Sequence, residues 1–257
     1  MLINRLKQFL PLSVKKKFRP WYYLFIMTKN RLAGVASIDV SYFEVNPKSD
    51  ISEHLNFLYF YLHTAKPVNI LELGTRGGES TRVIEKYCRD INIVGKSIDL
   101  EAAPNWLKNS KNWKHFIGDD VELGQNLAIF KRWPDGSEFK HLDFIFLDTS
   151  HEYSHTKEEL ETYLPLLKSG IGAIAFHDTN LTSSPTLRLD GSVGYGHDNE
   201  RGVARAIEEY FGFNFDERSL HIKPIPNCKF LFYHQPWCNG FSILIPKTSM
   251  NETCYQE

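Results

Sequence analysis

Histidines and carboxylates recur in this chain just where short apolar runs stop. Residues 68–74 carry Glu72 and halt at Gly74; residues 91–100 end around Asp99, and residues 113–119 end in Gly118 and Asp119. Residues 142–148 end in Asp148 with His151 three positions on, and residues 172–178 end in His177 and Asp178. Carboxylates are costly to gather at one edge unless a ligand or cation compensates them. Asp is also a favoured helix N-cap, which accounts for any one of these carboxylates taken alone and suffices for Asp120 or Glu79. The turn from Glu72 to Ser80 places Arg76 where a dinucleotide fingerprint needs glycine for approach to a pyrophosphate, so it argues against a nicotinamide-linked dehydrogenase. His151-Glu152-Tyr153-Ser154-His155 has the form H-E-x-x-H, whose zinc-hydrolase chemistry requires both histidines on one helix face with the glutamate as base. Because the pentad follows a buried run directly, with Asp148 three residues before it, zinc-dependent hydrolysis is the alternative reading and not the first.

These residues can act together only if strands and helices bring them to one place. The five apolar runs read as strands, each followed by a helical or loop segment. Near-continuous apolar strands alternating with helices imply a parallel sheet covered on both faces. Ligands of such a sheet bind beyond the carboxyl ends of its strands, where the named residues fall. Before the first strand, Asp50 and Glu53 have capping-box spacing, and Ile51, Leu55, Leu58, Tyr59 and Leu62 share one helical face. Residues 153–168 are predicted as an amphipathic helix stopped by Ser169-Gly170, and residues 203–211 as another. Residues 229–233 and 241–245 are joined by too short a loop for a crossover and should pair antiparallel.

The chain has 257 residues, 24% charged and 42% hydrophobic, a globular composition. Its 30 basic and 31 acidic residues give no overall electrostatic reason to expect nucleic acid as a partner. Eight of the basic residues, and no acidic one, lie in residues 1–38, an arm with Trp21, Tyr22 and Tyr23 that suits an anionic membrane surface or packing on a domain or subunit. Four cysteines without a C-x-x-C pair suit a reduced, cytoplasmic setting. Residues 21–27 are too short an apolar run to cross a bilayer. The expected organisation is a basic amphipathic arm over residues 1–48, one domain over 49–248 and a tail over 249–257.

An acidic residue two places before Gly74, with Gly77 and Gly78 closing the turn, resembles the first motif of class I S-adenosylmethionine-dependent methyltransferases. Asp143 to Asp148 with His151 and Tyr153, then Leu164 to Gly170, then Phe176 to Thr179, resemble the branch that groups the so-called cephalosporin hydroxylases with macrocin-type sugar O-methyltransferases. The resemblance spans residues 66–246. It implies an α/β, Rossmann-like doubly wound sheet of order 3-2-1-4-5-7-6 with strand 7 antiparallel, preceded here by the helical arm. It implies S-adenosylmethionine on Glu72, Gly74, Thr75, Arg76, Gly77, Gly78 and Ser80, its ribose on Asp99 and its adenine near Asp119. It implies a divalent metal, Mg²⁺ or Mn²⁺, on Asp148, His177 and Asp178, and His151 as general base. His177 stands where the family's sugar methyltransferases carry Asp or Glu; imidazole suits softer ions than Mg²⁺, and orienting Asp178 is its other role. The implied reaction is O-methylation of a sugar or glycosylated small molecule, and a homo-oligomer is expected; the basic arm, through residues 1–31, offers contact with the inner membrane surface or, equally, packing on a domain or subunit. Residues 180–202, with Tyr195, His197 and Asp198, would form a lid over the acceptor or, equally, a solvated loop. A non-catalytic scaffold on the same fold is a third reading.

Overall fold

The structure, a computed structural model, describes residues 43, 45, 49–181, 186–187, 193–194, 201–236 and 239–247. In chain order these form α1 (Ser52–Ala65), β1 (Ile70–Leu73), α2 (Glu79–Asp90), β2 (Gly95–Asp99), β3 (Trp113–Ile117) and α3 (Asp120–Phe130). There follow β4 (Phe144–Leu147), α4 (Tyr153–Tyr163), β5 (Ala173–His177), a ribbon of β6 (Thr186–Leu187) and β7 (Val193–Gly194), α5 (Gly202–Phe211), β8 (His221–Pro224), β9 (Phe230–Gln235) and β10 (Phe241–Pro246). The arm of residues 1–38, and Tyr195, His197 and Asp198 of the expected lid, lie outside the described residues. Among the described residues no helix is long and apolar enough to cross a membrane.

Eight strands form one sheet of order β3-β2-β1-β4-β5-β10-β9-β8, with β1 to β5 parallel and β10 antiparallel to β5. This is the expected order, β9 and β10 being its strands 6 and 7, with β8 added at the edge. Side chains alternate between two apolar layers because successive strand residues point to opposite faces. Leu71, Leu73, Ile145, Leu147, Ile174 and Phe176 pack in the layer of α4 and α5, while Ile70, Phe144, Phe146, Ala173 and Ala175 pack in the layer of α1 and α2. Burial on both sides is why these strands read as continuous apolar runs.

Several boundaries differ from expectation. Asp50 and Glu53 form no capping box: the cap position is Ile51, without a side-chain cap bond, and Asp50 Oδ2 instead accepts from Asn239 Nδ2 at 3.3 Å. Strand β2 begins only at Gly95, because the chain leaves α2 through Asn92 in the left-handed region and exposes Ile91 and Val94. Helix α4 ends at Tyr163 and passes into a 3₁₀ turn, Leu164–Leu166, that contains Pro165, which can donate no backbone bond.

Candidate active site

The first turn is held by close backbone packing. Gly74 has φ of 82°, and a Cβ there would sit 2.1 Å from the carbonyl oxygen of Asp148, so glycine alone permits this approach of β1 to β4. Backbone N–H groups of Thr75 and Arg76 donate to Asp99 Oδ2 at 2.6 and 2.8 Å, and that of Glu101 donates to Oδ1 at 2.9 Å. Although partial burial alone would raise its pKa, these amides hold the Asp99 carboxyl below the usual carboxylate range. A carboxylate offers about four acceptor positions, so three backbone bonds leave room for a ligand hydroxyl. The structure thus unites Gly74, Thr75, Arg76, Gly77, Gly78 and Asp99 at one edge, with Arg76 and Gly77 exposed.

Three expected cofactor residues, Glu72, Ser80 and Asp119, are engaged within the fold. Glu72 is fully buried and accepts from Ser80 Oγ and Thr81 Oγ1, both at 2.6 Å, which ties β1 to α2; burial pushes its carboxyl up to about 8. Asp119 is an N-cap, its Oδ1 accepting from the Glu122 N–H at 2.8 Å. Its neighbour Asp120 is no N-cap: it turns inward as the first residue of α3.

The ends of β4 and β5 bring together a close group of titratable side chains. His177 Nδ1 lies 3.1 Å from Asp148 Oδ1 and 3.1 Å from Asp178 Oδ2, and His151 Nε2 lies 3.0 Å from the same Asp178 oxygen. Asp178, directly after β5, and His151, in the turn between β4 and α4, both sit at positive φ, 57° and 62°. His177 and Asp178 are buried, and Asp148 remains partly open. Burial alone would lower the His177 and His151 pKa values, but the facing carboxylates raise both, that of His177 well above the ordinary value. The same histidines hold the Asp178 carboxyl far below its usual range against the opposite pull of burial.

These residues fit a divalent cation. Asp148, His177 and Asp178 each offer one ligand atom within 4.8 Å of the others. Asp178 Oδ1 and His177 Nε2 are buried with no hydrogen-bond partner among the described residues. The fit is to a mixed nitrogen and oxygen donor set, as Mn²⁺ or Zn²⁺ accept readily.

The H-E-x-x-H pentad does not form a peptidase site. His151 and Glu152 precede α4, and His151 faces Asp178 while His155 faces Asp120 at 3.1 Å. One left-handed residue therefore splits the two histidines between separate clusters. Sequence reading also missed His54 of α1, whose ring centroid lies 5.7 Å from that of His177 and whose Nδ1 is 3.1 Å from Gln235 Oε1. No local signal marks it, because the contact joins positions more than a hundred residues apart.

Residues 71–179 match the family described as a methyltransferase domain, a segment running from β1 to just beyond Asp178 and so containing both the first turn and the carboxylate-imidazole group. The chain has the class I methyltransferase fold. Among solved structures, it is similar to the O-methyltransferase TomG from Streptomyces achromogenes, at 15% identity over 80% of this chain and 85% of that one, with a TM-score of 0.53. It is similar to the methyltransferase MycE of the mycinamycin pathway at 16% identity and TM-score 0.52, over 93% of this chain and 62% of that one. A Staphylococcus aureus protein described as a caffeoyl-CoA O-methyltransferase aligns at 17% identity and TM-score 0.51, over 91% of this chain and 99% of that one. No curated protein matches the sequence.

Proposed function

We propose that this chain is an S-adenosylmethionine-dependent O-methyltransferase acting on a hydroxyl of a sugar or glycosylated small molecule. The observation that carries the reading is the meeting of Asp148, His151, His177 and Asp178 at the strand ends of a methyltransferase domain, against the Gly74 turn. In this reading residues 74–78 and Asp99 hold the cofactor, while Asp148, His177 and Asp178 hold a divalent cation. When bound, S-adenosylmethionine supplies an electrophilic methyl group and the cation supplies positive charge beside the acceptor oxygen. His151 is assigned as general base, its ring held by Asp178 through Nε2 at 3.0 Å. Asp178 fixes that ring and raises its proton affinity, so one carboxylate serves both cation and base. Glu72 and Asp119 act through the fold, holding α2 and α3 in place.

The sugar acceptor rests on the sequence resemblance to macrocin-type enzymes. MycE, whose structure contains Mg, SAH and mycinamycin VI, supports a metal-assisted reaction on a biosynthetic small molecule. The catalytic unit is assigned to residues 49–248, with residues 1–48 as the basic arm and residues 1–31 as its membrane-facing part. Calorimetry of the full chain with S-adenosylmethionine, first in chelator and then with Mg²⁺ or Mn²⁺, tests the core of the proposal. Micromolar binding followed by methylation of sugar-bearing acceptors is expected; no cofactor binding under either condition rejects it.

A further inference from the structure

A second cluster joins the entrance of α3 to the middle of α4. His155 Nε2 lies 3.1 Å from Asp120 Oδ1 and 3.7 Å from Glu159 Oε1, His155 and Glu159 being one helical turn apart. Glu159 is 1% exposed and Asp120 7%. Two buried carboxylates are costly to hold together without a compensating positive charge. Among the described residues their ion pairs are with His155 alone. An independent sign is Asp120 Oδ2, which is buried with no donor among the described residues, while the Asp120 and Glu159 carboxyls approach within hydrogen-bonding reach, a contact that needs either a shared proton or a cation between them.

The spacing suits an ion. Ligands about 2.0–2.1 Å from a tetrahedral Zn²⁺ stand roughly 3.3–3.4 Å apart, and the separations of 3.1 and 3.7 Å from His155 Nε2 bracket that value. The three residues each offer one ligand atom, all within 4.8 Å of one another. One imidazole with two carboxylates is a donor set for Zn²⁺ or Mn²⁺, and not the all-oxygen shell that Ca²⁺ takes. His155 is only partly covered, with its side chain 23% exposed, so an ion has a path from solvent.

We infer that Asp120, His155 and Glu159 form a second divalent-cation site of zinc-like preference, distinct from the group at Asp148, His177 and Asp178. Its role is structural. Thr149 Oγ1 donates to Glu159 Oε1 at 2.8 Å, and Tyr163 Oη donates to the Asp120 carbonyl at 2.5 Å. A cation there pins α3 to α4 and, through Thr149, steadies the turn that carries Asp148 and His151. The site also gives His155 a use that the H-E-x-x-H reading could not.

The test is equilibrium dialysis of the full chain, stripped with chelator, against Zn²⁺, with bound metal measured by mass spectrometry. Two equivalents are expected. His155→Gln and Glu159→Gln should each lose one of them, whereas Asp178→Asn should lose the other. Zinc should also raise Tm in the wild type, and the part of that rise owed to the second site should vanish in His155→Gln. A wild type that binds no zinc, or one equivalent removed by Asp178→Asn, overturns the inference, as does stoichiometry unchanged by His155→Gln. Should the variants fail to fold, anomalous diffraction at the zinc edge from soaked wild-type crystals decides. A peak among Asp120, His155 and Glu159 supports the site, and its absence means that the two carboxylates share a proton instead.

Discussion

Glu72→Gln should change the pH dependence of folding in a way that follows chiefly from its burial. The carboxyl is fully enclosed between β1 and α2, with two hydroxyls donating to it at 2.6 Å, and burial outweighs those bonds to raise its pKa to about 8 from an ordinary 4.5. The folded chain therefore keeps this proton over a window in which the unfolded chain has lost it. Stability from this group is present in full below about pH 4.5 and declines as pH rises toward 8. Linkage puts the loss at roughly 3 kcal/mol by pH 7 and about 4 by pH 8. Gln fills the same volume, keeps an acceptor and cannot ionise. Urea unfolding by far-UV circular dichroism, with chelator and without cofactor, should find the variant within about 1 kcal/mol of wild type at pH 5 and more stable by about 3 at pH 7. The slope of the difference is the test, since altered hydrogen bonding can add a constant offset. A difference that stays flat from pH 5 to 8 would show that Glu72 is ionised in the fold and that Ser80 and Thr81 outweigh burial.

Gly74→Ala should cost roughly 2–4 kcal/mol, combining a strained positive φ with overlap on the Asp148 carbonyl; Mn²⁺ affinity measured by electron paramagnetic resonance should fall with it, and a stable variant with unchanged affinity would uncouple the turn from the metal group. Asp99→Ala strips three backbone amides of their acceptor and should weaken S-adenosylmethionine binding by about 1–3 kcal/mol in calorimetry while sparing metal affinity; equal losses of both would mean that the two halves of the site are wrongly divided. His151→Ala should lower kcat by about 10²- to 10⁴-fold with cofactor affinity nearly intact, and normal turnover removes it as the base. Deletion of residues 1–38 should reduce sedimentation with anionic liposomes, and unchanged sedimentation would assign the arm to packing or assembly.

Much of the fold was legible because its signals are local. The runs that became β1, β4 and β5 are apolar on both faces, and each stops at a residue placed correctly at the carboxyl edge of the sheet. The antiparallel pairing of β9 with β10 followed from a loop too short to cross over. Strand β8 was not legible: at the sheet edge it alternates between half-buried and exposed residues and never forms an apolar run. The capping box failed for a related reason, since a spacing match says nothing about Asn239, which reaches Asp50 from the far end of the chain.

By itself, then, the sequence determined the strands, their alternation with helices and the antiparallel pairing at the end, which follow from periodicity, glycine and chain connectivity, while the order of the strands came from the resemblance to class I methyltransferases. Tertiary structure alone decided the direction of each polar side chain. Asp119 and Asp120 are neighbours of one type, yet one caps a helix in the open while the other turns inward to His155. His151 and His155 share a short motif, yet a left-handed backbone step sends them to different carboxylates. Such choices turn on which backbone region a single residue occupies and on partners distant in sequence. Residue type and spacing do not encode either quantity; the packed fold sets both.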